Sequence, residues 1–78
     1  MRLRRVLKLH DVVASLKALP RQGIRRGQVG TIVDLYRSGR YEVEFADGEG
    51  RTIAMVTMPQ NALLRLSYER GKGAEMAA

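Results

Sequence analysis

With 78 residues, a formal charge of +6 and no cysteine, the chain has room for one small hydrophobic core and for none of the chemistry of thiols. Disulfide staples, thiolate zinc sites and a cysteine nucleophile are therefore excluded. The hydrophobic share of 45% and charged share of 28% exclude wholesale disorder, and no apolar run nears the roughly 18 residues that a membrane-spanning helix needs.

The start, Met-Arg-Leu-Arg-Arg, has the look of the basic head of a signal peptide. Lys8, His10 and Asp11 break the apolar stretch that should follow it, so a cytoplasmic protein is expected rather than a secreted one. Residues 1–8 read as a basic N-terminal extension. Charge is unevenly spread: residues 1–26 hold eight of the fourteen Lys and Arg against one acid, Asp11, whereas residues 27–78 carry a net charge of −1. Eleven of the fourteen cations are Arg, whose planar fork pairs bidentately with carboxylates and phosphates, so an acidic partner suits this end of the chain.

The first extended run, residues 10–16, sets Val12, Ala14 and Leu16 on one face and Val13 on the other. Residues 18–27 follow, where Pro20, Gly23 and Gly27 forbid a long regular element and mark a basic loop. From 28 to 36, Val29, Thr31, Val33 and Leu35 alternate against Gly30, Ile32, Asp34 and Tyr36, the period of a strand. Arg37-Ser-Gly-Arg40 makes a hairpin turn into a third strand, residues 41–45, with Tyr41, Val43 and Phe45 inward and Glu42 and Glu44 outward. Asp47-Gly-Glu-Gly50 is a second turn signal, leading into a fourth strand over 51–58. Pro59 to Ala62 suits a single helical turn, and 63–66 a short fifth strand. Residues 71–78 lack periodicity and read as a flexible C-terminal tail.

Five short strands, one long loop, two tight hairpins and a helical turn before the last strand describe an all-β domain over 9–70. The expected architecture is a small, five-stranded, partly open barrel of SH3-like type. An OB-type barrel is the structural rival, but it carries a helix between its third and fourth strands, where this chain has only the Asp-Gly turn.

Among candidate sites, the glycines of Gly23-Ile-Arg-Arg-Gly27-Gln-Val-Gly30 precede a strand. A phosphate cradle would lead into a helix N-terminus instead, so turn and bulge geometry accounts for them better. His10 is the only histidine, and Ser15, Ser38 and Ser67 have no base near them in sequence, so neither a nucleophile nor a metal site is indicated. Glu42, Glu44, Asp47 and Glu49 form the one acidic cluster, which strand alternation and the turn explain without calcium or acid–base chemistry. No catalytic residue, cofactor or metal is expected. Lys17, Arg21, Arg25 and Arg26 are the residues that folding alone explains least. Tyr36, on the face opposite Leu35 and beside Arg37, is the best candidate to stack on a base.

Leu9-His-Asp-Val-Val-Ala, Leu19-Pro, Gly27-Gln-Val-Gly-Thr-Ile-Val, Tyr41-Glu-Val-Glu-Phe, Asp47-Gly-Glu-Gly-Arg-Thr and Leu63-Leu-Arg-Leu together resemble a bacterial family known as domain of unknown function 4926, over about residues 9–69. The resemblance implies an SH3-like fold, no enzymatic activity, and a small stand-alone protein, some members being similar to the accessory or antitoxin-like partner of a neighbouring gene product. At the level of shape, Gly27-Gln-Val-Gly-Thr-Ile-Val after a basic loop also resembles the KOW module of ribosomal proteins and transcription factors. That likeness would turn Arg25 and Arg26 toward RNA or DNA, although the acidic Tyr-Glu-Val-Glu strand departs from it. Arg2, Arg4 and Arg5 lie outside both resemblances.

The expected function is a non-catalytic binding module. Its contact surface would be Lys17, Arg21, Arg25 and Arg26 with Tyr36, Arg37 and Arg40 of the neighbouring hairpin, and its partner an acidic protein surface, nucleic acid being the alternative. A monomer or weak homodimer is expected, since domains below about 80 residues often gain stability by pairing.

Overall fold

Every second residue from Tyr41 to Phe45 is apolar, and this rhythm sets the inside of the sheet in the computed structural model, which describes residues 7–69 and 73–76. The strands are β1 (Val12–Ser15), β2 (Val29–Tyr36), β3 (Arg40–Ala46), β4 (Thr52–Pro59), β5 (Leu63–Glu69) and β6 (Gly73–Met76). They form one antiparallel sheet in the order β4-β3-β2-β1-β5-β6. Pro59 leads into a 3-10 turn, Gln60–Ala62, immediately before β5. The fold is thus the all-β, SH3-like, partly open arrangement expected. The sheet stays open because β4 ends it without a partner among the described residues. A tight turn joins β3 to β4, which leaves no place for the helix of an OB barrel.

Tyr41, Val43 and Phe45 point inward at 7%, 0% and 0% exposure, while Glu42 and Glu44 face outward. Val13, Ile32, Met58, Ala62 and Leu63 complete the core from the other elements, and Ile24 of the long loop closes over it. Burying a side chain of the size of Phe45 or Ile32 contributes about 1.5–3 kcal/mol, so this set carries most of the stability. Ser15 is the one buried polar side chain among the described residues. Its hydroxyl donates to the Lys17 carbonyl at 2.6 Å and accepts from the Lys17 N–H at 3.3 Å.

Three features differ from the periodicity. On β1 the core takes Val13 rather than Leu16, which is exposed; the strand is shorter than 10–16 because His10 holds φ at 72°, outside the extended range. On β2 the buried members are Gly30 and Ile32, and a register shift between Ile32 and Asp34 leaves Val33 without a partner on β3. This bulge sets Asp34 opposite Glu42 and Tyr36 opposite Arg40. At the ends, Leu7, expected in the basic extension, is a core residue. Gly73–Met76, expected in a tail, pairs with β5 as a sixth strand. Residues 1–6, with Arg2, Arg4 and Arg5, and residues 70–72 and 77–78 lie outside the described residues.

Gly30 is the tightest position in the sheet. A Cβ there would come within 2.8 Å of Val43 Cγ1, 2.9 Å of the Glu44 carbonyl oxygen and 2.9 Å of Phe45 Cδ1. The backbone of β3 is one of these neighbours, so the crowding cannot be relieved by turning a side chain. We expect Gly30→Ala to destabilise the domain by about 1–3 kcal/mol, the usual cost of overpacking. Urea unfolding monitored by circular dichroism checks this, and an unchanged midpoint would refute it.

Candidate functional site

The connection between β1 and β2 carries Lys17, Arg21, Arg25 and Arg26, and it is held as a small structure of its own. Leu19 and Ile24 exchange both backbone hydrogen bonds, at 2.8 and 3.1 Å. Between them Pro20–Gln22 forms a 3-10 turn, closed by the left-handed Gly23, whose N–H donates to the Pro20 carbonyl. At the base of the loop Gly27 N–H donates to the Ser15 carbonyl at 2.7 Å, Ser15 N–H to Gln28 at 2.9 Å and Gln28 N–H to Arg25 at 2.9 Å. Leu16 N–H donates across to Ala62. With Ile24 in the core and Leu19 packed against it, the backbone is fixed while Lys17, Arg21, Arg25 and Arg26 stand exposed. None of the four takes part in an ion pair among the described residues.

Arg25 and Arg26 edge an open cleft of about 570 Å³ whose floor is Val29, Gly30 and Thr31 and whose far wall is Glu44, Ala46, Asp47 and Gly48. Its two walls have opposite sign. Asp47 is already neutralised, its carboxylate accepting from Arg51 Nε at 3.3 Å. Glu44 accepts from the Thr52 hydroxyl and has no cation among the described residues.

The expected contact surface does not come together as one patch. Tyr36, Arg37 and Arg40 sit at the far end of β2, and eight residues of strand at about 3.3 Å each separate them from the basic loop by roughly 20–25 Å. The Val33 bulge also turns Tyr36 toward carboxylates: its hydroxyl donates to Glu42 at 3.4 Å. Partial desolvation, the charges of Glu42 and Asp34 and this hydrogen bond raise the Tyr36 phenol above its ordinary range. Tyr36 thus has carboxylates on one side, Glu42 and Asp34, and Arg40 directly across the strand pair.

The acidic surface that these carboxylates form was not apparent as a unit in the sequence, where alternation alone accounted for the two glutamates. Register places Asp34 opposite Glu42, and Thr31 opposite Glu44, so three carboxylates share the outer face of β2 and β3. Glu42 accepts from the Thr57 hydroxyl at 2.7 Å and Glu44 from that of Thr52. The signal that could have joined them is the β2–β3 register, which the bulge at Val33 conceals.

His10 occupies a turn in which its N–H donates to the Ile32 carbonyl at 2.8 Å, and Asp11 closes the loop by accepting from Lys8 N–H at 2.9 Å while it forms an ion pair with Arg65, Nε to Oδ2 at 3.5 Å. The positive φ of His10 shapes this turn. The glycines named with the phosphate-loop pattern serve as turn residues at Gly23 and Gly27, both with positive φ, and as a site of close packing at Gly30.

Residues 9–65 match the family described as Domain of unknown function (DUF4926). No curated protein and no solved structure matches the chain.

Two local predictions follow from these turns. His10→Gly should be neutral or raise stability by up to about 1 kcal/mol, because glycine adopts positive φ without strain; a marked loss in thermal unfolding would show that the imidazole itself is needed. Asp47 is held below the ordinary carboxylate range chiefly by the backbone N–H of Arg51, then by that of Glu49. Its ionised form thus favours the folded state, a contribution present in full above about pH 4 and lost as pH falls through the depressed value. Asp47→Asn should remove part of the acid-side decline of Tm, and an unaltered pH profile would contradict this origin.

Proposed function

We infer that this chain, which belongs to the DUF4926 family, is a non-catalytic binding module that docks its basic loop onto an acidic protein surface. The observation that carries the reading is a cluster of exposed cations, Lys17, Arg21, Arg25 and Arg26, on a backbone already tied down by hydrogen bonds and by Ile24 in the core. A pre-ordered loop loses little backbone entropy on binding, and unpaired arginines steer an acidic partner toward it and then pair bidentately.

Helices long and apolar enough to cross a membrane are absent among the described residues, and the reading needs none. A protein partner is favoured over nucleic acid because Glu44 lines the same cleft as Arg25 and Arg26, and Glu42 and Asp34 continue its face along the sheet. A phosphate backbone tracking along that face would be repelled, whereas a protein surface can present charges of both signs. The resemblance of the family to accessory, antitoxin-like proteins supports a partner encoded by a neighbouring gene.

Tagged full-length protein co-purified from its native host, with and without Arg25→Glu/Arg26→Glu, tests the reading. We expect an acidic partner that the double variant loses and that rising salt releases. A partner retained equally by both proteins would put the contact elsewhere. Titration with RNA and DNA at about 50 mM salt provides the second arm: binding that weakens steeply with salt would assign the arginines to phosphates instead.

A further inference from the structure

The face that holds the cleft has unmatched charge of both signs. Arg25 and Arg26 line the same cleft as Glu44, yet they form no ion pair with it. Glu42 and Glu44 have only hydroxyl partners among the described residues, from Tyr36, Thr57 and Thr52. Asp47, which lines the same cleft, is engaged by Arg51. Beside these charges lie two exposed apolar side chains, Val29 at 43% and Met55 at 55%. Val29 is on the cleft floor, and Met55 stands directly opposite Glu44 on β4.

We propose that this face is self-complementary and that a second copy of the chain docks on it about a two-fold axis, Arg25 and Arg26 of each copy meeting Glu42 and Glu44 of the other. The proposal rests on the reading that the basic loop binds an acidic protein surface, and the chain's own glutamates are one such surface. Charge complementarity selects the occupant. A patch that is positive at one side and negative at the other satisfies both halves at once only when the incoming patch has the same layout inverted, and a two-fold related copy supplies that layout. Arginine and methionine are residue types enriched where proteins meet, and Val29 and Met55 would be the apolar part of the contact. The net charge of +6 opposes the approach of two copies at long range, but at physiological ionic strength repulsion is screened beyond about 8 Å, while ion pairs in contact persist. A domain this small also gains stability from pairing.

Sedimentation equilibrium of the full chain tests this. At about 0.15 M salt a monomer–dimer equilibrium is expected, shifted toward monomer at about 1 M, where the screening length falls to about 3 Å. Arg25→Glu/Arg26→Glu and Glu42→Lys/Glu44→Lys should each raise the dimer dissociation constant by about tenfold or more, equivalent to about 1.4 kcal/mol. Mixed together, the two reversed proteins should form a heterodimer, detected by a tag on one of them. Should the lysine variant fail to fold, Glu42→Gln/Glu44→Gln, which keeps hydrogen-bond acceptors for the threonines and Tyr36, should weaken the dimer in its place.

A wild-type monomer at all concentrations, a dimer indifferent to salt and to both variants, or reversed proteins that fold but do not pair would each overturn the proposal. Its failure is distinguishable from failure of the docking reading. A monomeric wild type whose acidic partner is still lost on Arg25→Glu/Arg26→Glu removes self-docking and leaves the basic loop as a contact. Loss of neither partner nor dimer removes both.

Discussion

The packing of Phe45 against Gly30 is the contact on which the rest of the domain depends. Phe45 is fully buried, and it reaches that position because Gly30, directly opposite on β2, has no Cβ. Val43 and the Glu44 carbonyl close over the same point, so β2 and β3 approach there as nearly as two strands can. The neighbouring residues follow from it: Val13 pairs with Gly30 on the other side, and β1 is thereby set between β2 and β5. The base of the basic loop, tied to Ser15 and Gln28, lies two residues before this contact.

The candidate site and the fold share that point. The backbone of Gly30 forms part of the cleft floor while the same residue lets Phe45 into the core. The arginines on the loop and the glutamates on β3 therefore have a common rigid support, and their separation is set by the sheet rather than by flexible chain. The proposed docking surface would depend on local charge rather than on a deep apolar pocket, which agrees with the openness of the cleft. Exposed ion pairs are weak individually, and several in one contact are needed to hold a partner.

The turns give the fold its economy. His10 and Asp11 end the first turn, Gly23 and Gly27 shape the basic loop, and Asp47 organises the β3–β4 connection by accepting from two backbone N–H groups. Each satisfies backbone groups that would otherwise be left open at a strand end. The histidine and the acidic turn thus both shape the backbone. The glutamates of β3 are the exception, since their alternation also builds a charged face.

By itself the sequence determined the all-β class, the two hairpins, the 3-10 turn before β5 and the inward set Tyr41, Val43 and Phe45, because strand alternation and turn chemistry are local and leave their mark at fixed spacing. It also showed a basic loop with more cations than solubility asks for. Only the tertiary structure decided which apolar residues of β1 and β2 are buried, since Leu16 beside β1 and Val29 with Val33 on β2 are as apolar as the residues that won, and burial depends on what the neighbouring strand presents. It decided too that Leu7 joins the core and that Gly73–Met76 pairs with β5, both through contacts remote in sequence. Finally it separated Tyr36, Arg37 and Arg40 from the loop arginines and put glutamates in their place. Strand length and a one-residue bulge settle distance and facing, and neither can be read from charge along the chain.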